Sequence, residues 1–213
     1  MKFVIQLVLW VVIAFLGYKV YDSVYSSVRF QETKTERFAT VVNKLKEIRK
    51  AQLAHKTVTG KYATSFEGLA QFIDTAKFEI TQRRDSSFTR FDKSLRIDKS
   101  IDTVVVDVLG YESVKDSLFK NNNSYKNLSL VEVSPEKTAK IKLETDIMIK
   151  NEIEYPLFKA SIDKVAILDD QPLNYLEEEL EANSLDEING PSIYVGSLDE
   201  ISTNGNWPLV YDK

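Results

Sequence analysis

The sequence predicts an α+β protein: one long N-terminal helix, apolar first and amphipathic after, followed by an antiparallel sheet with one or two short helices. Three observations carry this. Residues 3–18 are apolar apart from Gln6. Residues 20–56 place apolar side chains at three- and four-residue steps, the repeat of a helix with one buried face. Beyond residue 77, short β-branched runs alternate with turn residues at spacings of about ten to fifteen, the rhythm of antiparallel strands.

The apolar run is 16 residues long, about 24 Å of helix at 1.5 Å per residue, against a hydrocarbon core of about 30 Å. Val20 and Tyr21 extend it, Lys2 and Lys19 can snorkel from its two ends, and Tyr18, Tyr21 and Tyr25 suit the interface. Residues 1–21 therefore read as a transmembrane anchor contacting the bilayer through residues 3–21. A cleaved signal peptide needs small residues at its cut site, and Ala14-Phe15-Leu16-Gly17-Tyr18 supplies them poorly, so the N-terminus is expected to be kept. The bases Lys19, Arg29, Lys34 and Arg37 outnumber those ahead of the helix, and by the positive-inside rule alone the rest of the chain would be cytoplasmic.

Residues 22–59 read as an amphipathic stalk helix. Its stripe is Phe38, Val41, Val42, Leu45 and Ile48, with Lys44, Lys46, Glu47, Arg49 and Lys50 beside it. It lasts barely two heptads before Gln52 takes the seam, too short for a coiled coil, so Leu45 and Ile48 are expected to pack on the strands of the same chain. Gly60 is placed to end the helix in the left-handed conformation. Thr64-Ser65 ahead of residues 66–73 predicts a capped second helix.

Residues 48–73, with helix, then Gly60-Lys61-Tyr62, then a short segment containing Gly68-Leu69, resemble the end of the long helix and first loop of type IV pilins and type II secretion pseudopilins. With the membrane helix the resemblance covers about a third of the chain. It implies a pilin-like domain outside the cytoplasmic membrane, against the charge rule. The pattern departs from that of the family in two places: the apolar run starts at Phe3 with no basic leader, and it contains no glutamate. A pilin-shaped subunit that stays anchored is therefore expected, rather than a processed, polymerising one.

Residues 60–213 read as one α+β domain. Strands are predicted at 103–109, ending at Gly110; at 128–133, ending at Ser134-Pro135; over Ile141, Leu143, Ile147 and Ile149; and at 157–162 and 193–195. Residues 172–182 read as a helix with Pro172 in its first turn and Leu173, Leu176 and Leu180 on its buried face. Gly205-Asn206-Trp207-Pro208 predicts a turn with a docked aromatic.

Chemistry is sparse. The chain has no cysteine and a single histidine, His55, which removes thiol nucleophiles and the usual zinc sites. His55 lies where a helix ends, so capping or plain exposure is expected rather than catalysis. The seven glycines are isolated and form no phosphate loop. Residues 82–90 contain Arg83-Arg84-Asp85, a modest basic patch without the aromatics or net charge of a nucleic-acid surface, and no nucleic-acid partner is expected. No catalytic, cofactor-binding or metal-ligating residue is assigned.

Charge is distributed more tellingly. Residues 165–212 contain eleven acids and no lysine or arginine; with Lys213 they carry −10, leaving +6 on residues 1–164. Glu177, Glu178, Glu179, Glu181, Asp186 and Glu187 are the predicted partner-binding residues, most of them expected to point outward from the helix. The surface would suit a basic partner or a second copy. Calcium is a conceivable ligand, though no EF-hand spacing is present. The expected protein is a single-pass inner-membrane protein with a periplasmic domain, a non-catalytic component of a secretion or pilus-like envelope machine. The alternatives are a tethered binding domain for a cationic ligand, peptide or calcium, and a carboxylate-based hydrolase.

Overall fold

The computed structural model describes residues 2–92, 97–120 and 122–212. It is α+β, with a long apolar N-terminal helix followed by antiparallel sheets. Helix α1 spans Lys2–Thr59, 58 residues and about 87 Å. An 18-residue window within it has a mean hydropathy of 2.2 and no buried residue, so by length and composition this helix is long and apolar enough to cross a membrane. Apolar side chains from Phe3 to Val28 are exposed. From Phe30 onward one face turns inward: Phe38, Val41, Val42, Leu45 and Ile48, the stripe read from spacing, are all at most 1% exposed.

The chain forms two compact units, residues 1–50 with 127–213, and residues 51–126. Among the described residues the strands form three separate antiparallel sheets, not the single sheet expected. The reason is that each hairpin pairs chiefly with its own neighbour in sequence.

In the first unit, β3 (Leu130–Ser134) pairs β4 (Lys137–Lys140), and β6 (Ile153–Asp163) lies between β5 (Lys142–Lys150) and β7 (Ser192–Ser197). Asn151 and Glu152, both at positive φ, form the two-residue turn from β5 to β6, the mirror-image turn that matches strand twist. Pro156 in a middle strand would normally break a ladder. Here β7 pairs only with residues 158–163 of β6, so Pro156 faces β5 alone. Gly196, at φ 79°, approaches Phe158 so closely that a Cβ would sit 2.2 Å from its carbonyl oxygen. Helices α4 (Lys164–Leu168) and α5 (Leu173–Leu180) follow β6. Trp207 is 9% exposed, and its ring would lie 2.2 Å from a Cβ added at Gly205; the predicted turn and docked aromatic are present.

The second unit contains residues 51–59 of α1, α2 (Phe66–Thr75), β1 (Lys77–Asp92), β2 (Ile97–Ser113) and α3 (Val114–Phe119). Gly60 adopts φ 79° and its N–H donates to the Lys56 carbonyl, 2.8 Å. Ser65 caps α2, accepting from the Gly68 N–H. Gln52, the polar interruption of the stripe, is fully buried and satisfied: its amide both donates to and accepts from the Ala63 backbone at 2.9 Å. His55 Nδ1 donates to the Lys61 carbonyl at 2.6 Å and its ring lies 4.7 Å from that of Phe72, so it ties down the turn after α1. β2 runs on past Gly110, where the sequence reading ends it, because a bulge at Leu109 restores pairing between Gly110 and Ile80.

Candidate functional site

Three features of the first unit converge on one cluster: the middle of α1, the first turn of α4 and the end of α5. Lys164, directly after β6, is fully buried. Its ammonium donates to Glu179 Oε1 at 2.7 Å, to the Glu179 carbonyl at 2.8 Å and to the Ile188 carbonyl at 2.6 Å. All three N–H groups of a buried lysine are thereby used, which burial of the charge requires. The other carboxylate oxygen of Glu179 accepts from Lys34 at 2.8 Å, and Lys34 also reaches Glu187 at 3.3 Å. Burial alone would lower the Lys34 pKa; the hydrogen bond and charge of Glu179, with Glu187 behind them, outweigh it and raise it. The lysines of two distant segments thus share one internal glutamate.

One turn along α1, Arg37 grips Asp170 with both guanidinium ends, 2.5 and 2.7 Å, and donates to the Ile167 carbonyl at 2.8 Å. This bidentate bond, against the weaker opposing effect of burial, holds the Asp170 carboxyl down at about 2. Further along, Lys46 bonds the Tyr211 carbonyl, and Lys137 pairs with Asp169. Toward the membrane-length segment, Tyr175 of α5 stacks on Phe30 at 5.1 Å and bonds Ser26 at 2.7 Å.

Beside the cluster lies a cavity of about 470 Å³, whose polar lining includes Lys34, Asn43, Glu179, Asp186, Glu187 and Tyr211. Of its three carboxylates, Glu179 has both oxygens held by lysines and Glu187 shares Lys34, while Asp186 makes no ion pair among the described residues. What the arrangement does chemically is fasten the acidic last quarter of the chain to α1 and α4 by compensated charge.

The six predicted residues therefore separate. Glu177, Glu178, Glu181 and Asp186 are exposed and make no ion pair among the described residues. Glu187 is half-buried against Lys34. Glu179 is 4% exposed and internal, whereas Leu173, expected on the buried face of α5, is 69% exposed. The helix is turned so that Leu176 and Glu179 face inward, because Lys34 and Lys164 need a counter-charge there. Lys34, Arg37 and Lys164 were not singled out by the sequence reading as site residues; the signal for the first two was two bases only three residues apart, next to the apolar stripe of α1. No group of three histidine or acidic residues able to hold a metal ion occurs among the described residues.

Compared with protein-family models, with curated proteins and with solved structures, the chain matches none.

Proposed function

We propose that this protein is a single-pass, membrane-anchored structural or assembly component of a bacterial envelope machine, with no catalysis of its own. The observation that supports it best is α1: one uninterrupted helix whose first part is apolar and exposed all round, and whose later part is buried on one face and riveted by Lys34 and Arg37. A helix of that kind holds a folded body at a fixed, short distance from a bilayer. The first side-chain contacts on it, at Ser26 and Phe30, come about 7.5 and 13.5 Å of helix after Tyr21, which supports a body held close to the membrane surface. The pilin resemblance of residues 48–73 favours the periplasmic side of the inner membrane and a secretion or pilus-like machine.

A tethered site for a cationic ligand finds Glu179 and Glu187 already occupied by lysines, which favours the structural reading over the binding one. The acids left for a partner are Glu177, Glu178, Glu181 and Asp186. Like charges on an exposed face attract a basic surface, and the contact weakens as salt shortens the screening length below roughly 8 Å. Replacing Glu177, Glu178 and Glu181 with lysine in the full chain tests this by cross-linking and recovery from membranes. Loss of the recovered envelope proteins, with circular dichroism unchanged, is expected; equal recovery would leave these acids without a docking role.

A further inference from the structure

The β1–β2 ribbon of the second unit takes no part in the reading above. Its strands are 16 and 17 residues long, about 50 Å at 3.3 Å per residue. Among the described residues they pair only with each other. Side chains 81–91 are all exposed, as are 97–100 and 102–104, and Val104, Val106, Val108 and Leu109 are each at least 50% exposed. A ribbon of two strands with neither face covered is marginal in water. Each outer edge also presents unpaired N–H and C=O groups, a template for another strand.

The two edges differ in charge. Along 81–91 of β1 stand Arg83, Arg84 and Arg90 against a single acid, Asp85; along 97–109 of β2 stand Asp98, Asp102 and Asp107 against a single base, Lys99. Pairing β2 with another β2, or β1 with another β1, sets like charges side by side, which costs stability across strands. Pairing β1 with β2 sets opposite charges together. Within the ribbon's own register Arg84 Nε lies 3.1 Å from Asp107 Oδ2 on the diagonal, while Arg90 stands directly opposite Lys99, so the match between the strands lies in their net charge, +2 over 81–91 against −2 over 97–109.

We propose that the ribbon is a self-association arm: the β1 edge of one copy of this chain adds to the β2 edge of the next. Such a contact uses two different surfaces, so every copy keeps one edge of each kind open and the contact repeats. Its use in an assembly rests on the function proposed above; the contact itself does not need the membrane.

The test uses the full chain purified in detergent, with mass measured by light scattering. Oligomers are expected that dissociate at least tenfold more readily as salt rises from about 0.1 M to about 1 M, across which the screening length falls from roughly 10 to 3 Å. The triple variants Asp98→Lys/Asp102→Lys/Asp107→Lys and Arg83→Glu/Arg84→Glu/Arg90→Glu should each be monomeric alone and associate when mixed, since one then carries two basic edges and the other two acidic ones. A monomeric unmodified chain at every concentration, variants that still self-associate, or a mixture that stays monomeric would overturn the proposal. Should either triple variant misfold, the cysteine-free chain permits a gentler check: Ser87→Cys on β1 and Ser100→Cys on β2, mixed and treated with a bismaleimide. Cross-links between the two kinds of chain should exceed those within either kind, and the reverse would overturn the arm. Carbonate washing of membranes scores the anchor separately, so an anchored but monomeric chain defeats the arm alone, and an assembling but soluble chain defeats the anchor alone.

Discussion

Glu179 shows what a single residue contributes when two buried cations depend on it. Removing one partner from a buried ion pair leaves the other charge desolvated and uncompensated, typically at about 3–5 kcal/mol, whereas exposed acids tolerate change within about 0.5 kcal/mol. Glu179→Ala should therefore destabilise the full chain by about 3–5 kcal/mol in denaturant titration, and Glu177→Ala, two positions earlier on the same helix, should change it by about 0.5 kcal/mol or less. Similar small losses for both would mean that the internal charges are compensated in some other way. Nothing local distinguishes Glu179 from Glu177 or Glu178. Its partners stand 145 and 15 residues away in sequence, so helical spacing alone favours Leu173 for the inner face. The exposed position of Leu173 is the cost of bringing the glutamate in.

Among the elements, α1 was the most legible. Its stripe, its end at Gly60 and the capped helix behind it all follow from local rules: burial of one face imposes a 3.6-residue period, and a left-handed glycine closes the last turn; Gln52, read as the polar end of the stripe, is instead buried and bonded to the Ala63 backbone. Leu45 and Ile48 are each fully buried, so replacing either with alanine should cost about 2–5 kcal/mol, depending on how far the surroundings collapse. Thermal unfolding of the full chain in detergent checks this. Near-unchanged stability of the double variant would assign the stripe to something other than this chain's own core. The opposite case is β1, where the sequence offered only a basic patch at residues 82–90. Period-two alternation arises because one face of a strand is buried, and β1 buries neither, so no period was written into it. The strands predicted at 128–133, 157–162 and 193–195 bury one or both faces and were found within a few residues of their ends.

For the whole molecule, the contrast between a positive first part and an acidic last quarter proved to be partly an internal matter. Lys34, Arg37, Lys137 and Lys164, all from the positive part, take up Asp169, Asp170, Glu179 and Glu187. Composition records the imbalance but not which charges meet, so the sequence showed the asymmetry and left its use open between docking and folding. The apolar end of α1 is the reverse: unburied in the fold, legible in full, and the part that most needs an environment other than water. The central claim, that residues 3–21 hold an intact chain in a membrane, is tested most directly by intact-mass analysis of carbonate-washed membranes from cells making the unmodified protein. The expected result is a chain of the full 24.4 kDa in the washed pellet; a shorter chain beginning near Tyr18 in the soluble fraction would contradict it.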